Sequence, residues 1–129
     1  MEKDKELLLK DLSARLLYGV KVVRYIERDN KIEQLIPEMD LSLRLFELSI
    51  SNQWFIIKPY LRPMSSMTEE EINEFHKLSF IHVDYGLEPL QCVLSVNEID
   101  WLNAHHFDYR GLISMNLALE APKGMYKIN

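Results

Sequence analysis

Leu8, Leu9, Leu12 and Leu16 recur three and four residues apart near the start of the chain, while Lys10, Asp11, Ser13 and Arg15 fall between them. That spacing predicts an amphipathic helix over about residues 4–17, with those four polar residues off its apolar stripe. Gly19 is suited to end it, because glycine takes the left-handed cap conformation without a Cβ clash. Val20, Val22, Val23, Tyr25 and Ile26 then make a β-branched and aromatic run, and residues 31–36 make a second. Asp29-Asn30 between them tolerates a tight turn, so the pair reads as a hairpin, which Pro37 is expected to end.

Leu41, Leu43 and Leu45 alternate with Ser42 and Arg44, after which the register slips and Phe46, Leu48 and Ile50 alternate with Glu47 and Ser49. Read as a strand, this needs a bulge near Leu45-Phe46; a helix is the alternative. The unbroken apolar stretch in residues 53–58 suggests a strand covered on both faces, and Pro59 and Pro63 should take residues 59–63 out of the sheet or to its edge. Two helix starts are well marked. Thr68 with Glu71 and Ser95 with Glu98 both match the capping box, predicting helices over residues 69–78 and 96–104. Ile81, Val83 and Tyr85 alternate with His82 and Asp84, a short extended segment closing at Gly86. Residues 109–119 have the makings of another helical turn or two. The expected fold is therefore α+β: an antiparallel sheet of about four strands forming a meander, with an N-terminal helix and C-terminal helices packed on it.

Composition supports that picture. The 129 residues are 47% hydrophobic and 27% charged, enough for one domain spanning residues 1–129 with a single core. The lone Cys92 can form no internal disulfide; set among Leu90, Val93 and Leu94, it reads as a small buried residue. No apolar run reaches the roughly 18 to 20 residues of a membrane span, and the mixed charges of the first six residues do not open a signal peptide. A cytoplasmic protein without cofactor is the expectation.

The net charge of −5 argues against an unaided electrostatic grip on nucleic acid. Its distribution says more: across residues 67–108 Lys77 alone opposes nine carboxylates, a local net of −8. This stretch is either a face for a basic partner or a set of solvated carboxylates at helix starts, where the helix dipole favours them. Binding nucleic acid instead would need Lys10, Arg15, Lys21, Arg24 and Arg28 on one face.

The most suggestive polar grouping is His105-His106-Phe107-Asp108, with His82 and Asp84 elsewhere. Imidazoles and carboxylates are what a metal site or a general base with its orienting acid requires. On a strand His82 and Asp84 would share a face. Adjacent histidines on a helix, however, point about 100° apart, so His105 and His106 cannot both face one ion unless the helix has ended. Arg62, in a loop offering hydroxyls before a helix start, could hold a phosphate or carboxylate, or pair with Glu69, Glu70 or Glu71. Trp101, Phe107 and Tyr109 either anchor an interface or complete the core.

The chain also resembles uncharacterised small phage- and prophage-associated proteins of gut Bacteroidetes. The residues that carry the resemblance run from Leu61-Arg62-Pro63-Met64 to Glu69-Glu70-Glu71, and from Ile99-Asp100-Trp101-Leu102 through His106-Phe107-Asp108-Tyr109-Arg110-Gly111 to Gly124-Met125-Tyr126. It implies a phage-borne accessory protein made inside a bacterium, and supplies no substrate, cofactor or catalytic residue. The expected function is a non-enzymatic module binding a host or phage protein through Arg62, Glu69, Glu70, Glu74, Trp101, Tyr109 and Arg110. The alternative is a metal- or small-ligand-dependent activity of His82, Asp84, His105, His106 and Asp108.

Overall fold

The computed structural model describes residues 2–29, 31–52, 54–84 and 95–126. Helix α1 (Glu2–Arg15) tightens into a 3-10 turn, Leu16–Tyr18, and stops at Gly19 with φ 71°. Strands β1 (Lys21–Arg28) and β2 (Lys31–Asp40) form the expected hairpin, with Asp29 in the left-handed region at φ 51°. Pro37 does not end β2, contrary to expectation. β2 is an edge strand, where a missing N–H need break no ladder bond. Arg24 pairs with Ile36 and Val22 with Met39, so three steps on β2 match two on β1. The extra residue falls around Pro37 and Glu38, whose φ of 55° marks a bulge.

The alternation across residues 41–50 is helical, not extended: helix α2 spans Leu43–Ser51, capped by the Ser42 hydroxyl, which accepts from Leu45 N at 3.2 Å. The slip in the alternation is the signature of the helical period, which brings Leu45 and Ser49, four residues apart, into the interior. Strand β3 (Phe55–Leu61) lies beside β1 on the side away from β2. Two residue pairs fix the ladder's phase: Glu27 N donates to Trp54 O, and Ala121 N to Leu61 O. Even-numbered residues of β3 therefore bond towards β1 and odd-numbered ones away from it. Pro59 is odd-numbered, so it sits inside the strand, opposite Val22, without depriving β1 of a donor.

Helix α3 spans Glu69–Asp84 and α4 spans Val96–Ala104; both begin with the expected capping boxes. The segment expected to be extended at residues 81–85 is helical as far as Asp84, while Tyr85, Gly86 and Cys92 lie outside the described residues. Residues 109–118 form turns instead of a helix, leading to the short strand β4 (Leu119–Glu120), which pairs parallel to Tyr60 and Leu61. The fold is α+β, but its sheet, ordered β2-β1-β3-β4, is mixed and not a purely antiparallel meander. One face carries the main core, where Leu8, Leu12, Val22, Leu45, Ile57 and Leu61 pack together. On the other, Val23, Tyr25 and Tyr60 are covered by Ala121, Met125 and Tyr126. No helix among the described residues is long and apolar enough to cross a membrane.

Candidate functional site

Several of the polar residues singled out above, Arg62 and Asp108 among them, lie beside Phe107, which is fully buried. Beyond the end of β3, Arg62 N donates to His106 O at 2.7 Å and Arg62 O accepts from Asp108 N at 2.9 Å, a parallel bridge that extends the sheet by one residue. The chain can turn into that bridge because His106 takes a φ of 64° at the end of α4. Three guanidinium groups then gather on this segment.

Arg62 is buried and forms a bidentate pair with Glu71, both nitrogen–oxygen distances being 2.7 Å, and its guanidinium lies 4.1 Å from the centroid of the Phe107 ring. Glu71 also completes the capping box of α3, accepting from Thr68 N at 2.9 Å. Burial alone would raise its pKa; the hydrogen bonds from Arg62 and Thr68 and the Arg62 charge outweigh that and hold it at about 2. Of the pairings open to Arg62, the one formed is with Glu71. Glu69, Glu70 and Glu74 are exposed along α3, as is Asp100 on α4.

Arg15 and Asp11 form an ion pair at 2.8 Å that is wholly shielded from solvent, and Arg15 Nη2 donates to Phe107 O at 2.7 Å. Neither lies off the stripe of α1, as the sequence reading placed them. Arg15 stands seven residues after Leu8 and three after Leu12, on the buried face, and Asp11 stands one turn before Arg15. An arginine and an aspartate four apart, with the arginine in phase with leucines, was the available signal. Arg110 approaches the same carboxylate, its Nε lying 3.6 Å from Asp11 Oδ1. Arg15 and Arg110 both lie over the Tyr109 ring, at 5.1 and 4.9 Å from its centroid. The Tyr109 hydroxyl donates to Asn103 Oδ1 at 2.9 Å.

The histidines go separate ways. The His105 ring stacks on Trp101 with centroids 4.0 Å apart, and its Nδ1 lies 2.9 Å from Trp101 O. Trp101 also packs against Phe75 and Phe107, at 5.4 and 5.8 Å, and so helps fill the space between α3 and α4. The His106 ring stacks on Tyr126 at 3.8 Å. Burial, followed by the charges of Arg15, His105 and Arg62, lowers the His106 pKa to about 4, so the ring is neutral at pH 7. Tyr126, which the sequence reading did not single out, ties two strands: its hydroxyl accepts from Lys21 N at 2.8 Å and donates to Tyr60 O at 2.7 Å. Asp108 turns both oxygens to backbone amides, those of Leu112 and Ile113, at 2.8 and 2.9 Å.

His82 and Asp84 sit on α3, where residues two apart are separated by about 200° around the axis, so the shared face argued for a strand does not arise. Among the described residues no three His, Cys, Asp or Glu side chains gather as metal ligands. Of the basic residues proposed to face nucleic acid, Arg15 is buried, and Arg24 and Arg28 lie over the rings of Phe55 and Trp54.

Compared with models of known protein families, with curated proteins and with solved structures, the chain matches none. Its chemistry has to be read from its own geometry. The surface carries depressions, one of them beside this junction. A cavity of about 260 Å³ beside Arg62 is bordered by Ser66, Lys123 and Tyr126. A groove of about 470 Å³ runs between α1 and β3, floored by Leu8, Leu12 and Phe55 and rimmed by Asp4, Lys5 and Lys58.

Proposed function

We propose that this chain is a non-enzymatic protein-binding module that meets a basic partner through the exposed carboxylates of α3 and the adjoining α4. The observation that carries the reading is a division of labour among the ionisable side chains. Arg62, Glu71, Arg15, Asp11 and Asp108 are buried and joined to one another or to backbone groups. Glu69, Glu70, Glu74 and Asp100 face solvent. Carboxylates left in water speed encounter with a positively charged surface more than they add affinity. Trp101, Tyr109 and Arg110 are only half-buried, which leaves part of each side chain open to a partner. An origin in a phage or prophage of gut Bacteroidetes, and a place in the bacterial cytoplasm, rest on the resemblance of the segments quoted above.

The test is a triple charge reversal, Glu69→Lys with Glu70→Lys and Glu74→Lys, in which the buried Glu71 is left alone. Immobilised wild-type protein should retain a basic partner with a salt-sensitive on-rate, and the variant should lose it at unchanged stability. If the triple variant keeps every partner, the acidic surface is not the contact.

A further inference from the structure

The groove of about 470 Å³ between α1 and β3 has the size of a small-molecule site, for which the range is about 300–1,000 Å³. Residues 55–58 of β3 border it, before the point where β4 takes up the same side of the strand at Tyr60 and Leu61. None of the described residues of α3 or α4 borders it, so it is separate from the acidic surface. Leu9 gives the groove its character. Leu8 and Leu12, four residues apart, pack into the main core. Leu9 stands about 100° around the helix from Leu8, is only half-buried and belongs to neither core cluster, yet it borders the groove. With Phe55 and Ile56 it offers an apolar lining whose remaining exposed area favours an apolar occupant.

The charges on the rim are sorted by end. Glu27 N donates to Trp54 O, which sets Glu27 level with the start of β3. Asp4 adjoins Lys5, which also borders a depression with Asn52 and Trp54, at that same end. Lys58 lies four residues beyond Trp54, roughly 13 Å along the strand. Its Nζ rests 5.7 Å from the centroid of the Tyr25 ring and pairs with no carboxylate among the described residues. One end of the apolar trough therefore holds an unmatched ammonium, and the other holds two carboxylates with one ammonium. We infer that the groove binds a free fatty acid, its single hydrocarbon chain lying along Leu8, Leu9 and Phe55 and its carboxylate meeting Lys58. The uncharged methyl end can approach Asp4 and Glu27; a second carboxylate there would be repelled.

The experiment titrates the full chain calorimetrically with sodium decanoate below its micelle concentration, where binding should be saturable. Octanoate, shorter by two methylenes, should bind roughly tenfold more weakly. Decanedioate should bind hardly at all. Lys58→Met keeps the side-chain stem over Tyr25 and should weaken decanoate about fivefold, while leaving the affinity for decanol unchanged. Leu9→Gln, at a half-buried position outside both core clusters, should lose both ligands at unchanged Tm. Absence of decanoate binding, or an affinity that survives either Lys58→Met or Leu9→Gln intact, would overturn the site.

Discussion

Arg62 shows how much one side chain decides here. It carries the bridge to Phe107, covers that ring, and is matched by a carboxylate that also caps α3. Arg62→Met keeps most of the packing against Phe107 but leaves Glu71 buried and unpaired, which should cost about 3–5 kcal/mol in urea unfolding. A loss below about 1 kcal/mol would mean that Glu71 finds water or another donor. His106 gives a pH signature. Its pKa is about 4 in the folded protein, against 6.5 when unfolded, so the unfolded chain binds the proton first. Its contribution is complete above pH 6.5 and is lost as pH falls through 4. His106→Asn, whose side chain tolerates the positive φ, should flatten the stability profile between pH 6.5 and 5; an unchanged slope there assigns the titration elsewhere. At this scale the sequence was readable where a motif is local. The Thr68–Glu71 box could be seen in four residues, whereas the second role of Glu71, as partner of Arg62, depends on how the loop between them folds back.

Elements were legible where two signals agreed and misread where one periodicity stood alone. The hairpin had β-branched runs and turn residues together; α4 had a capping box followed by apolar spacing. In residues 41–50 short alternations fit strand and helix equally, and the Ser42 cap, which decides it, is a single hydroxyl accepting from one amide. Proline interrupts ladders, which is why Pro37 reads as an end, yet on the outer strand β2 it has no pair in the register with β1. Its position has a further consequence. β2 has no strand on its outer side among the described residues, and it exposes Ile32 by 60%, Leu35 by 55% and Ile36 by 40%. Apolar side chains on an open edge invite strand addition, and a proline, a bulge and flanking charges are the usual guards. Pro37→Val should therefore leave the Tm within a few degrees but raise self-association. Light scattering during incubation at 37 °C reads this directly, and a variant as clear as the wild type would show that Pro37 guards nothing.

At the scale of the whole molecule, side-chain bonds among the described residues reach far along the chain: Arg15 joins α1 to Phe107 O, 92 residues away in sequence. Tyr126 makes a comparable tie, closing residues near the end of the chain over β1 and β3. Such ties are invisible to periodicity, which reports the buried face of one element but not the element that covers it; this is why the mixed sheet and the Phe107 junction went unread while the α+β class did not. They also make a claim about cooperativity. If α1 is an integral part of the fold, Arg15→Met, which strands Asp11 with only the longer Arg110 contact, should remove about 3 kcal/mol from the entire structure. Far-ultraviolet circular dichroism follows the helices, and tryptophan fluorescence follows Trp54 and Trp101, at the start of β3 and within α4. In the wild type both probes should trace one transition, and in Arg15→Met both should move together to lower urea. If the dichroism transition shifts or broadens while fluorescence holds its midpoint, α1 has come away alone, and the chain is then a stable sheet-and-helix body with a detachable N-terminal helix instead of one cooperative unit.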